Sequence, residues 1–257
     1  MRRGLAPSRR QAQADIEAGR VTVDGAPATK AARVVAPHEA VVVHGPPPRF
    51  VGRGGEKLDA ALERFGVDVA ERRGVDLGAS TGGFTDCLLQ RGAAAVVAVD
   101  VGYGQLHERL RTDPRVDVRE RTNARDLSPG DLGPLAGVLV GDLSFISLRT
   151  IVPVAVGLVE PGADVVLLAK PQFEAGREEA ARGKGVITDP AVWRRVLVEV
   201  SAALVASGSA IMGAMASPLT GADGNVEFLV HARVGAVGGP GLDALVDGAL
   251  AEVEARG

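Results

Sequence analysis

Val75-Asp76-Leu77-Gly78-Ala79-Ser80-Thr81-Gly82-Gly83-Phe84 is the stretch whose reading decides the fold. An apolar run, Gly74–Gly78, reads as a strand and turns through glycines into a helical stretch, Gly83–Arg91. Glycines at such a turn let the backbone approach a ligand closely, because no Cβ stands in the way. The spacing is not the Gly-x-Gly-x-x-Gly of dinucleotide sites, and the Lys-Ser/Thr of a phosphate loop is missing.

Working outward, further apolar runs alternate with helical stretches. The runs are Ala94–Val101, Val116–Arg119, Ala136–Gly141, Asp164–Ala169, Ala210–Met215 and Val226–Val234. The helical stretches are Lys57–Phe65, Gly104–Thr112, Leu148–Val159, Ala191–Ala206 and Leu242–Ala255. Nearly continuous apolar strands between helices predict an α/β fold with a mostly parallel sheet covered on both faces. The last two runs have only a loop between them, which predicts an antiparallel pair at one edge. Asp100 closes the second strand, about twenty residues after the glycine loop, where a carboxylate can grip a ribose diol. Strand, glycine loop and second-strand acid together suit S-adenosylmethionine better than a dinucleotide. The plain alternative for Asp100 is an ordinary loop acid.

The chain ahead of this pattern differs in charge. Residues 1–57 hold ten Lys/Arg and five Asp/Glu, whereas the whole chain of 257 residues has a net charge of −3. A basic front on an acidic body points to a nucleic-acid-facing module, with a merely solvated helix as the bland reading. Ser8 reads as the N-cap of a helix over Arg9–Ala18, and Gly19 as its stop. Val21-Thr22-Val23-Asp24-Gly25 reads as a strand and tight turn, with Ala40–Val43 as its partner. Pro46-Pro47-Pro48 marks a boundary. The expected domains are 1–45, a linker at 46–56, and 57–257.

Composition excludes several classes. One cysteine, Cys87, rules out an internal disulfide framework and a cysteine-rich zinc site, and four scattered histidines argue against a metal. Cys87 and Trp193 read as core residues. The longest apolar run, Ala93–Val99, is too short to cross a bilayer, and no secretory signal is visible. The expected compartment is the cytoplasm.

Four charged residues fall at or near strand ends, where open α/β sheets bind ligands. Asp142 follows Val138-Leu139-Val140-Gly141, Lys170 follows Val165-Val166-Leu167-Leu168-Ala169, Glu227 opens the last strand, and Lys57 precedes the first. A lysine desolvated near a second cation gives up its proton more readily, and the neutral amine is a base. Asp142 and Glu227 would hold the two lysines. The competing reading is a buried ion-pair network without chemistry.

These residues carry a resemblance. The matching stretches are Gly52-Arg53-Gly54-Gly55-Glu56-Lys57-Leu58, Asp76 to Thr85, Asp100-Val101-Gly102-Tyr103-Gly104-Gln105-Leu106 and Glu120-Arg121-Thr122-Asn123-Ala124-Arg125. Asp142-Leu143-Ser144-Phe145-Ile146-Ser147, Lys170-Pro171-Gln172-Phe173-Glu174, Ser217-Pro218 and Gly224-Asn225-Val226-Glu227 follow in order. The chain resembles the TlyA group of ribosomal RNA 2′-O-methyltransferases, historically called hemolysin A. Its larger part is similar to the FtsJ-like (RrmJ) methyltransferases, and its front to the S4-type RNA-binding motif.

The resemblance implies a Rossmann-like S-adenosylmethionine-dependent methyltransferase sheet behind a small α+β RNA-binding module. It implies a catalytic tetrad at Lys57, Asp142, Lys170 and Glu227, with Lys170 taking a proton from a ribose 2′-hydroxyl and no metal involved. It implies cofactor contacts at Gly78, Ala79, Ser80, Thr81, Gly82, Gly83, Phe84, Asp100, Val101, Asn123 and Asp142. RNA phosphates would meet Arg2, Arg3, Arg9, Arg10 and Arg53. The implied substrate is a cytidine in ribosomal RNA, of the large subunit and by extension the small, with ribosomal subunits as partners, no membrane, and a monomeric protein. Members of the group carry further residues ahead of the position of Met1, so either the start lies upstream or the module is trimmed. The segment 171–190 reads as a lid or a plain loop. A catalytically silent ribosome-assembly factor, a membrane-lytic hemolysin and a nicotinamide dehydrogenase are the competing functions. The intact tetrad, the lack of a spanning segment and the lack of Gly-x-Gly-x-x-Gly speak against them in turn.

Overall fold

The protein is described by a computed structural model covering residues 3, 5–6, 9–17, 19–45, 48–176, 179, 185–221 and 223–256. The chain divides into two compact units, 1–49 and 50–257. In the first, α1 (Arg9–Glu17) ends at Gly19, whose φ of +68° suits the left-handed stop that glycine provides. Then come β1 (Val21–Val23), β2 (Ala26–Pro27) and β3 (Val41–Val43). β1 pairs antiparallel with β2 across Asp24-Gly25, both at positive φ, and with β3 from Val21↔Val43 to Val23↔Val41. Val21, Val23 and Ala28 form the small core. Ser8, the expected cap of α1, lies outside the described residues.

In the second unit, α2 (Gly54–Phe65), β4 (Arg73–Leu77), α3 (Gly83–Gln90), β5 (Ala95–Val99), α4 (Glu108–Arg111) and β6 (Val116–Arg119) come first. A 3-10 turn (Ala124–Asp126), β7 (Ala136–Gly141), α5 (Leu148–Gly157), β8 (Val159–Ala169) and α6 (Pro171–Glu174) follow. α7 (Pro190–Ala206), β9 (Ser209–Ala216), β10 (Phe228–Val234) and α8 (Leu242–Glu254) complete it. The seven strands form one sheet in the order β6-β5-β4-β7-β8-β10-β9. β4 to β8 pair in parallel, and β10 runs antiparallel between β8 and β9.

Alternate strand residues feed two cores. Val75, Leu139 and Leu167 pack under α5, α7 and α8, while Val96, Val138 and Leu168 pack under α2 and α3. Burial on both faces explains why these strands read as continuous apolar runs. Phe50 is buried in the second core, so residues 50–56 pack with this unit. The helix expected over Gly104–Thr112 is confined to Glu108–Arg111. Gly104 has a φ of +70° and donates its N–H to Glu120 Oε1 at 2.8 Å, so the preceding residues are loop. Cys87 is fully buried in α3, and Trp193 packs in the α7 core, donating Nε1–H to the Ile187 carbonyl at 3.0 Å.

Candidate active site

Strand register brings the four charged residues to one edge of the sheet. Leu77 lies opposite Gly141, Gly141 opposite Leu167, and Ala169 opposite Phe228. The next step along each ladder sets Lys170 against Glu227, with Asp142 just beyond β7. Lys57, in the first turns of α2, ion-pairs with Glu227 Oε2, and both side chains are less than a tenth exposed. Lys170 Nζ stands 2.6 Å from Asp142 Oδ1 and donates to Ser144 Oγ at 2.9 Å. A Cβ on Gly54 would lie 3.7 Å from Asp142 Oδ2, so the start of α2 is packed close to the second pair. Each lysine thus faces a carboxylate in a water-poor setting, which two buried ammonium groups require.

The glycine loop lies beside these pairs. A Cβ on Gly78 would come 2.6 Å from the Asp142 carbonyl, and one on Gly83 2.9 Å from the Gly55 nitrogen. The loop therefore needs its glycines for close approach, and φ values of +85° at Gly78 and +96° at Gly82 add a second reason. Asp100 accepts N–H groups from Ser80 at 2.7 Å and Gly102 at 2.6 Å, which aims its carboxylate over the loop. A cavity here is walled by Ala79, Ser80, Asp100, Gly102, Gln105, Leu106, Val118 and Glu120, with Ala98 at its base. Apolar walls, a carboxylate and open backbone suit the nucleoside cofactor expected from the sequence.

The other residues expected to touch the cofactor are placed as follows. Val101 is 74% exposed and is not among the cavity walls. Asn123 Oδ1 accepts from Arg125 N at 3.1 Å, capping the 3-10 turn, and β6 offers Val118 and its successor Glu120 to the cavity instead. Phe84 is buried in the core between α2 and α3, and Thr81 is exposed.

Asp76 shows a signal the sequence did not single out. It is fully buried at the end of β4. Oδ2 accepts from Thr85 N at 2.9 Å and Thr85 Oγ1 at 2.7 Å, while Oδ1 has no hydrogen-bond partner among the described residues. Burial pushes its carboxyl up to about 7, helped by Asp142 and Asp100 and opposed by Thr85. A half-satisfied buried acid between two further carboxylates is a ready partner for a positive charge.

Ser144 and Glu174 were also missed. Glu174 is buried, accepts from Ser147 Oγ at 2.5 Å and Leu148 N at 2.6 Å, and is pushed up mainly by burial. It ties the Lys170-bearing turn to the loop after β7. The stretch 171–190 is thus anchored near both ends: Pro171–Glu174 is helical, and Ile187 is buried with its N–H donated to Asn225 Oδ1 at 2.9 Å. Residues 177, 178 and 180–184 lie outside the described set.

Of the arginines expected to meet RNA, Arg2 and the Arg10 side chain lie outside the described residues. Arg9 is exposed on α1, and Arg53 is exposed at the start of α2. Arg3 is exposed, but its guanidinium donates to the carbonyls of Ala36 at 2.7 Å and Pro37 at 3.1 Å, bracing the loop before β3. Among the described residues, no group of three His, Cys, Asp or Glu side chains is arranged to hold a metal ion, and no helix is long and apolar enough to cross a membrane.

Comparison with known proteins adds the following. The FtsJ-like methyltransferase family matches residues 50–234, and the S4 domain matches residues 2–41. The 16S/23S rRNA (cytidine-2′-O)-methyltransferase TlyA of Mycobacterium tuberculosis H37Rv is 48% identical over 256 residues, covering 98% of this chain and 95% of that protein. Hemolysin A of Brachyspira hyodysenteriae is 39% identical, covering 89% of this chain and 95% of that one. A solved structure from Streptococcus thermophilus, provisionally named a hemolysin, has a TM-score of 0.80 at 37% identity, covering 99% of this chain and 94% of that one.

Proposed function

The chain belongs to the TlyA family of FtsJ-like methyltransferases, and from that premise we propose that it methylates a ribose 2′-hydroxyl of ribosomal RNA, using S-adenosylmethionine. The observation that carries the proposal is the meeting of two lysine–carboxylate pairs, Lys57–Glu227 and Lys170–Asp142, beside a glycine cradle overlooked by Asp100. The acceptor is a cytidine of large-subunit RNA, with the small subunit as a second substrate. The assignment of a cytidine and of both subunits follows the name of the Mycobacterium relative.

S-adenosylmethionine supplies a methyl group already activated on a sulfonium, so the work left to the protein is orientation and proton removal. Asp100 would take the ribose diol, the loop at Gly78–Gly83 would pass along the nucleoside and amino-acid portion, and Asp142, with the buried Asp76 close by, would supply negative charge toward the sulfonium. Lys170, as the neutral amine after losing a proton to solvent, accepts the 2′-hydroxyl proton as the oxygen attacks, and so returns to the ammonium that Asp142 faces. Lys57, held by Glu227, which lies across the β8–β10 ladder from Lys170, supplies positive charge for the developing alkoxide, and Glu227 and Asp142 fix the two amines. General-base help of this kind is worth about 10²–10⁴-fold, and in-line positioning much of the rest. The first unit docks the RNA through phosphates, which position without specifying sequence. The 2′-hydroxyl itself distinguishes RNA from DNA.

The test is methyl transfer from labelled cofactor to separated ribosomal subunits taken from a strain lacking this activity, with modified sites mapped by primer extension at low nucleotide concentration. New stops at a cytidine on one or both subunits support the reading. No label on any RNA, with the cofactor bound, favours the silent assembly factor. Lys170→Ala abolishes transfer while cofactor affinity by calorimetry stays near that of the native protein. Lys170→Arg restores nothing, because a guanidinium keeps its proton.

A further inference from the structure

The Lys57–Glu227 pair is set by two elements, α2 and the β9–β10 edge, which pack on each other through Phe65 against Gly213 and His231. Helix α8 adds a polar tie to both. It lies beyond residues 50–234, the part of the chain that matches the methyltransferase family. Val246 and Ala249 are fully buried and dock it on the core. Its last turn then reaches the end of β9. Glu252 Oε2 accepts the Ala216 N–H at 3.0 Å, and Arg256 donates to the carbonyls of Ser217 at 2.5 Å and Ala216 at 3.4 Å. Ser217 in turn donates its N–H to the Glu227 carbonyl at 2.8 Å. The second oxygen of Glu252, Oε1, stands 3.6 Å from Arg64, two turns along α2 from Lys57. One helix end thus holds the backbone next to Glu227 and the helix that carries Lys57.

We propose that Glu252 and Arg256 are positioning residues for methyl transfer, acting through β9 and α2 to hold the Lys57–Glu227 pair. The inference rests on the function proposed above. The cofactor cradle hangs on β4 and β5, on the other side of β7 and β8 from the Arg256–β9 contact, so loss of that contact is expected to leave cofactor binding unchanged. The geometry also gives a role to a carboxylate in the last turn of α8 and a guanidinium four residues on, just past the helix end. A guanidinium spans two successive carbonyls that a lysine meets only singly.

The experiment compares Glu252→Gln, Arg256→Ala and Arg256→Lys with the native protein. Asp247→Ala serves as the control, since it removes an exposed ion pair between α8 and Arg194 of α7 without touching β9. Transfer is read at saturating cofactor and RNA, cofactor affinity by calorimetry, and amide exchange at Ala216 and Ser217 by mass spectrometry. The expected result for Arg256→Ala is a kcat about tenfold or more below native, since small misplacements of reacting groups are costly. Cofactor Kd stays unchanged, exchange at Ala216 and Ser217 quickens, and Arg256→Lys recovers part of the rate. Asp247→Ala behaves as native in all three readouts.

Native kcat in Arg256→Ala with quickened exchange overturns the positioning role. An equal loss in Asp247→Ala overturns it too, because the helix would then act only through overall docking. If the native protein transfers no methyl group to any RNA, the functional reading fails first and this inference falls with it.

Discussion

Asp76 carries the strongest electrostatic prediction of any single residue. Its folded carboxyl is raised from an ordinary 3.8 to about 7, so the folded chain holds the proton more tightly than the unfolded one. The sign follows from linkage: the group costs nothing below 3.8 and destabilises the unliganded protein increasingly as pH climbs toward 7. Asp76→Asn removes that cost, so the unliganded variant gains stability relative to the native protein at pH 8 but not at pH 4. The gain is on the order of 2 kcal/mol, read as a difference in Tm. The same variant is expected to bind S-adenosylmethionine more weakly, because a buried negative charge close to the glycine cradle is gone. An unchanged Kd would remove Asp76 from the site. The motif Asp76-Leu77-Gly78 is plain in the sequence, but only burial and the unsatisfied Oδ1 separate this acid from an ordinary strand-end aspartate.

At the scale of elements, the site depends on two helix starts pressed together. Gly54-Gly55 opens α2 and Gly82-Gly83 leads into α3, and the Gly83 position has no room for a Cβ beside Gly55. A Cβ at Gly82 would overlap Leu110 and lie 2.8 Å from Leu106, at a φ of +96° that side chains resist. Gly82→Ala is therefore expected to cost about 1–3 kcal/mol in chemical denaturation and to weaken cofactor binding, as Leu106 is a cavity wall. Elements and their order were largely legible, because apolar strands and capped helices carry local signals. The loop from Gly102 to His107 was not. Gly104-Gln105-Leu106 has helical composition, yet the turn is held open by the N–H of Gly104 on Glu120, a residue sixteen positions away. Asn123 caps the 3-10 turn, a role its sequence position does not separate from a ligand contact, since a short polar side chain before a turn serves either.

Across the whole molecule, one cluster away from the chemistry governs acid stability. Asp164, midway along β8, accepts from Arg72 at 2.8 Å, from His231 at 2.8 Å and from Arg233 at 3.1 Å. Burial pushes its carboxyl up, but the bonds from His231, Arg72 and Arg233 outweigh it and hold the group well below the usual carboxylate range. A depressed acid stabilises the folded state above its unfolded value of 3.8, and that contribution is lost as pH falls through the lower folded value. Asp164→Asn is expected to lose roughly 2–3 kcal/mol near neutrality and to flatten the acid limb of a stability–pH curve, since Arg72 and Arg233 are partly solvated. RNA association belongs to this scale as well. Binding should weaken steeply with salt, and neutralising Arg9 or Arg53 should each lower the log–log slope by about one; a flat salt response would count against phosphate docking. The sequence by itself determined the fold class, the two-part organisation, the glycine loop and the four charged residues, because each rests on local pattern or on a short motif. Tertiary structure alone decided which lysine meets which carboxylate, since Lys57 and Glu227 are 170 residues apart and only the packing of α2 on the sheet brings them together. It alone decided that Arg3 braces a loop and that α8 reaches Ser217, for such contacts arise from packing between distant segments, which no local pattern encodes.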